Sequence, residues 1–188
     1  MNNKTKRMVG IGLFTAIVVV LQLLGGGIRF GMFSVSLVLV PIVVGAAVYG
    51  WYAGAWLGLA FGITVLLSGD AGAFLAVDPL ATILVVLVKG TLCGMFAGLI
   101  YKLLERFGRT VAVLAAAVTC PVVNTGVFLV GCQLFFLETV TQWGAELGFA
   151  DAGQYMIFGL AGTNFLVELG VNLVLAPVIT RVIGFEKR

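Results

Sequence analysis

Histidine is missing from this 188-residue chain, which removes Ser-His-Asp and Cys-His catalysis and every His-ligated metal or haem site. Cysteine is nearly missing. Cys93, Cys120 and Cys132 stand far apart in apolar stretches, form no C-x-x-C pair and read as small packing residues. No G-x-x-x-x-G-K-[ST] loop is present, so the chain cannot cradle ATP phosphates by itself. Charge is also scarce, at 10% of residues against roughly 25% in soluble proteins. The few basic residues form no stripe with interleaved aromatics, which leaves nucleic-acid binding without support. No metal and no cofactor are expected.

What is there is apolar. Hydrophobic residues make up 61% and the mean hydropathy is +1.17. A water-soluble fold of this composition would expose apolar patches that soluble monomers avoid. The expected class is an all-α integral membrane protein, with residues 1–188 forming a single transmembrane domain. A bilayer core about 30 Å thick needs roughly 20 apolar residues per helix. Six spans are expected, over residues 8–24, 35–50, 53–67, 81–103, 111–136 and 154–180. The run from Val35 to Leu67 is too long for one crossing and has one turn signal, Tyr49-Gly50-Trp51-Tyr52-Ala53-Gly54. That predicts a tight hairpin with Trp51 and Tyr52 at the membrane boundary. The basic start and apolar run resemble a signal peptide, but no A-x-A site follows, so an uncleaved first helix is expected.

With six spans, both termini and two loops share one side of the membrane. That side carries nine of the eleven basic residues: Lys4, Lys6, Arg7, Lys102, Arg106, Arg109, Arg181, Lys187 and Arg188. The opposite loops hold Asp70, Asp78, Glu138, Glu146 and Asp151. Positive charge stays inside, so the termini are expected to be cytoplasmic. Gly50, Gly54, Gly58 and Gly62 recur every fourth residue, as do Gly90, Gly94 and Gly98. Small residues on one face let helices approach closely in lipid, which predicts a tightly packed bundle.

Arg29, Lys89 and Glu168 do not belong in hydrocarbon. A charge at the bilayer centre costs about 2.5–3.5 kcal/mol on insertion scales, so such residues face a partner or a polar cavity. Asn164, Glu168 and Asn172 share one helix face at four-residue spacing. Asn124 and Gln133 add amides in the fifth span, and Arg29 follows Gly25-Gly26-Gly27 after the first. One reading is a structural Lys89–Glu168 ion pair with amide hydrogen bonds between helices. The other is an outward-opening pocket in which Arg29, Lys89, Asn124, Gln133, Asn164 and Glu168 hold a small solute, with Asn172 deeper and structural. Segments 68–80 and 137–153 mix apolar residues with acids, as a lid over such a pocket would. Gly12 and Ala16 form a small-x-x-x-small pair on the first helix, available for packing or for docking another helix.

These features together resemble the substrate-binding S components of energy-coupling factor (ECF) importers, a class of prokaryotic ABC vitamin transporters. The resemblance rests on six spans with basic termini and on Gly12-Leu13-Phe14-Thr15-Ala16-Ile17. It rests equally on Leu39-Val40-Pro41-Ile42-Val43-Val44-Gly45, Tyr49-Gly50 and Gly54-Ala55-Trp56-Leu57-Gly58, and on the Asn164-to-Asn172 face. It implies a multi-pass subunit of the prokaryotic plasma membrane that captures a vitamin from outside. A transmembrane coupling subunit and two cytoplasmic ATPases then drive uptake, and the S component topples in the bilayer. The family docks its coupling subunit through Ala-x-x-x-Ala on the first helix, and Gly12 and Ala16 occupy the matching positions. The Pro41-to-Gly62 region is most similar to members associated with pantothenate, and two cations suit a carboxylate. Pantothenate or another small anionic vitamin is therefore expected, with riboflavin, lipoate, a folate-like compound and a queuosine precursor as alternatives. The rival from another class is a stand-alone gradient-driven carrier. Against it, no repeat relates residues 1–90 to 91–188.

Overall fold

Breaks in the apolar sequence decide where the helices of this protein begin and end. The computed structural model describes residues 3–25, 29–30, 33–34 and 37–186. Helix α1 (Asn3–Gly25) leads to a two-residue antiparallel ladder, β1 (Arg29–Phe30) against β2 (Phe33–Ser34), then to α2 (Leu39–Tyr49) and α3 (Trp51–Ser68). A short α4 (Gly72–Val77) precedes α5 (Pro79–Leu104) and, after one 3-10 turn, α6 (Arg109–Phe135). Next come α7 (Leu137–Glu146) and α8 (Ala152–Gln154), then a π-wound stretch, Tyr155–Gly162, continuous with α9 (Thr163–Glu186).

Apolar residues lie on both sides of these helices. Leu39, Ile42, Leu57 and Phe61 fill the centre, while Leu13, Leu67, Leu80 and Val174 project outward. A helix that is apolar all round has lipid or protein on every side. Among the described residues five helices are long and apolar enough to cross a membrane: Lys4–Gly25, Trp51–Ser68, Pro79–Phe107, Arg109–Phe135 and Ala152–Arg181. These meet five of the six expected spans.

The expected span over 35–50 has a different form. Residues 35–36 lie outside the described residues, and α2 has only 11 residues, a rise of about 16 Å. Eight of the 11 are buried, which marks an apolar core helix sheltered by its neighbours. Gly50 ends it with φ +91°, a conformation that costs a residue with a Cβ. The hairpin is as tight as the sequence implies, but Trp51 and Tyr52 already belong to the first turn of α3, with rings stacked 3.4 Å apart between centroids. Arg7 donates to the Tyr49 carbonyl at 2.6 Å, which ties this turn to the N-terminal end of α1.

The glycine seam joins α3 to α5. A Cβ on Gly54 would strike the Gly94 carbonyl, and one on Gly58 the Gly90 carbonyl. Gly62 lies against the Val86 carbonyl, and Gly98 against Trp51. The two backbones touch here, so the four-residue glycine spacing is a packing device.

The acid-containing loops are ordered by caps. Asp78 accepts from the Ala81 amide at 3.0 Å and is followed by Pro79 at the first helical position. Asp151 accepts from the Gln154 amide at 2.8 Å, while Gln154 accepts in return from the Ala150 amide at 2.8 Å. The three thiols are buried, as expected of packing residues.

Candidate functional site

A polar pocket opens at the end of the bundle away from the α2–α3 turn. Its empty space is about 530 Å³ with its open mouth included. Helices α1, α3, α5, α6 and α9 and the π-wound stretch all contribute to its wall. Four of the residues expected from the sequence meet there: Lys89, Asn124, Asn164 and Glu168.

Lys89 comes from the middle of α5. Its ammonium lies over two ring faces, 5.2 Å from the Phe128 centroid and 6.0 Å from that of Phe61. The rings offer a cation their negative faces. Among the described residues these rings, rather than a carboxylate at ion-pair distance, are its contacts. Glu168 shares the wall and is 5% exposed. One turn further on, Asn172 is fully buried and donates to the Glu168 carbonyl at 2.8 Å. It does not line the pocket, in keeping with a structural role. Asn124 is 5% exposed, and the Oδ1 atoms of Asn124 and Asn164 are buried without a hydrogen-bond donor among the described residues.

Among the polar residues of the pocket Gln22, Asp70 and Thr125 escape the sequence reading, and the first two pair with each other. Gln22 of α1 is 2% exposed and donates to Asp70 Oδ2 at 2.6 Å. Ser68 donates to the same oxygen at 3.2 Å. Gly69, with φ +82°, ends α3 and turns the chain so that Asp70 faces α1. The pair clasps α1 to the α3–α4 connection at the rim. Replacing Gln22 by Leu leaves Asp70 one donor short at a half-buried site, with an expected cost of about 1–3 kcal/mol. Thermal unfolding in detergent would read this as a lower midpoint, and an unchanged midpoint would mean that the clasp carries no stability.

The two segments expected as a lid touch each other at Phe74 and Trp143. Phe74 of α4 is 3% exposed. Its ring meets Phe128, Phe136 and Trp143 edge-on at 5.5, 5.0 and 5.3 Å. Phe128 therefore touches both Lys89 and this aromatic cap. Opposite it, the π-wound stretch supplies Leu160 and Ala161 to the pocket wall. The wide winding is accommodated where Tyr155 lies against Gly144 and Gly159, neither of which has a side chain in its way.

The remaining expected residues lie elsewhere. Gln133 lines a separate, mostly apolar groove with Leu134, Gly153 and Ile157. It is nine residues from Asn124, half a revolution around α6 at 3.6 residues per turn. The backbone of Arg29 pairs with Ser34 in the ladder, and its side chain lies outside what the structure describes. Gly12 and Ala16 sit on an exposed face of α1 beside Leu13, and a Cβ on Gly12 would meet nothing within 4 Å.

Among the described residues one cation between aromatic faces, two carboxylates and several amides offer hydrogen-bonding and charged groups to a small polar molecule. Residues 6–180 match the family model described as "ECF transporter, substrate-specific component". The pantothenic acid transporter PanT of Lactococcus lactis subsp. cremoris (strain MG1363) is 26% identical over 187 residues, covering 90% of this chain and 89% of PanT. The structure of ThiT from Listeria monocytogenes superposes with a TM-score of 0.69 at 22% identity, covering 98% of this chain and 96% of ThiT.

Proposed function

This chain belongs to the family of ECF transporter substrate-specific components, and from that premise we propose that it is the pantothenate-binding subunit of such an importer. The observation that carries the ligand is the pocket around Lys89, which joins one ammonium to a wall of amide acceptors. Pantothenate has a carboxylate at one end, two hydroxyls at the other, an amide between them and a geminal dimethyl group. Lys89 takes the carboxylate, while Asn124, Asn164 and Glu168 accept from hydroxyl and amide donors. Phe61, Val65 and Leu160 pack on the methyls. The PanT relative supports the same choice. Arg29 remains a second candidate for the carboxylate, and Gln133 leaves the binding set.

In this reading the chain is a six-span protein of the prokaryotic plasma membrane with both termini in the cytoplasm. Buried α2 belongs to the second crossing. The chain supplies no catalysis. A coupling subunit docks on the exposed α1 face at Gly12 and Ala16, and two ATPases supply the energy. Gly12→Leu and Ala16→Leu are expected to leave pantothenate binding intact while reducing uptake in cells with the full importer. Normal complex formation by both variants would remove the docking role.

The direct test is to purify the protein in detergent, denature it and identify the released small molecule by mass spectrometry. Stoichiometric pantothenate is the expected result. Riboflavin, lipoate, a folate-like compound or a queuosine precursor would keep the importer subunit and replace the ligand. Uptake that needs a proton or sodium gradient but no ATPase partner would instead favour a stand-alone carrier.

A further inference from the structure

Two polar atoms in the pocket wall are used by nothing else in the described chain. Oδ1 of Asn124 and Oδ1 of Asn164 are buried and find no donor among the described residues. They come from different helices, α6 and the start of α9, yet both residues line the space that holds Lys89. An amide oxygen only accepts, and an ammonium only donates. Lys89 therefore offers donors only, while each of the two asparagines adds an unused acceptor to the wall beside its own Nδ2 donor.

Other amides nearby have different duties. The Gln22 side chain already donates to Asp70. Asn172 also has an orphaned Oδ1, but it lies beyond the pocket wall and its nitrogen holds the Glu168 carbonyl. Asn124 and Asn164 are left as the amides of the pocket wall whose oxygens have no other use among the described residues.

We propose that Asn124 and Asn164 are specificity determinants that read the hydroxyl-bearing acyl end of the ligand. The site thereby selects hydroxylated amide acids over analogues of equal charge and similar outline. This inference rests on the pantothenate reading given above. A carboxylate on Lys89 alone would admit many small organic acids. A hydroxyl pairs with a buried acceptor that an alkyl group in the same position leaves unpaired. Sites built this way reject the analogue lacking the hydroxyl far more strongly than apolar pockets reject a missing methylene.

The test compares pantothenate with its dideoxy analogue, in which both hydroxyls are replaced by hydrogen while amide, dimethyl group and carboxylate remain. Affinities are measured by titration calorimetry on ligand-depleted protein in detergent. The wild-type protein is expected to bind the analogue at least about 10-fold more weakly. In the Asn124→Leu/Asn164→Leu protein the gap should close to about 3-fold or less, because the acceptors are gone. Asn164 is only half-buried, so Asn164→Ala gives the same reading, with a smaller closure, if the double variant does not fold. Equal affinity of the wild type for the two acids overturns the inference and leaves pantothenate as the ligand. A gap that persists in the variants assigns the hydroxyls to other groups and overturns it too. Failure of the wild type to bind either acid refutes the pantothenate reading, and this inference with it.

Discussion

Gly58→Leu is expected to prevent the bundle from assembling, and Gly58→Ala to cost at least about 3 kcal/mol, beyond the usual range for overpacked cores. A Cβ at this position would fall on the carbonyl oxygen of Gly90. An overpacked side chain can turn to another rotamer, but a carbonyl fixed in a helix cannot. The helices would have to separate along their whole seam, because Gly54, Gly62 and Gly94 make the same kind of contact one turn away on either side. Gly170 gives the contrast, since a Cβ there meets nothing within 4 Å. Gly170→Ala should match or exceed the wild type in stability, because alanine is favoured over glycine in a helix by about 1 kcal/mol. Thermal unfolding in detergent and the yield of monodisperse protein would check both. A Gly58→Ala protein as stable as wild type would mean that α3 and α5 do not touch through their backbones.

Lys89→Met is expected to weaken pantothenate binding at least about 30-fold, the lower end of the 2–5 kcal/mol lost when one partner of a buried charge pair is truncated. Methionine keeps an unbranched apolar stem between Phe61 and Phe128, so the loss is of charge rather than of packing. The ring faces hold a bare ammonium by about 0.5–2 kcal/mol, little enough for an arriving carboxylate to replace. Titration calorimetry would measure the change. Retained affinity in Lys89→Met, with loss in Arg29→Met, would move the carboxylate to the connection after α1.

Four polar residues of the pocket are legible in the sequence because hydrocarbon makes polar residues conspicuous. Lys89, Asn124, Asn164 and Glu168 each interrupt an apolar run, and the structure brings them to one wall. Gln133 interrupts such a run equally well. Depth along a helix does not fix rotation about it, and half a revolution from Asn124 turns Gln133 to another face. Gln22 and Asp70 failed to register for a different reason. Asp70 reads as one more loop acid, and Gln22 as a residue near a helix end. Only folding brings them, 48 residues apart, to 2.6 Å. The shortness of α2 is hidden by its own apolarity, since a helix buried among its neighbours and one facing lipid have the same composition. The π-wound stretch has no sequence signature beyond glycines that also occur throughout α3 and α5.

The way α1 is held has a consequence for the cooperativity of the molecule. Only 11% of its apolar stretch is buried, against 44% for α3. Polar contacts along its length help to fasten it: Arg7 donates to the Tyr49 carbonyl, the Trp56 indole to Thr15 Oγ1 and Gln22 to Asp70. A helix fastened this way opens locally at a free energy below that of global unfolding, because few core contacts break with it. The α3–α5 seam belongs to the opposite extreme, and its amides should be the last to exchange with solvent. α1 is in this sense a separately opening unit, one end of which borders the pocket through Gln22.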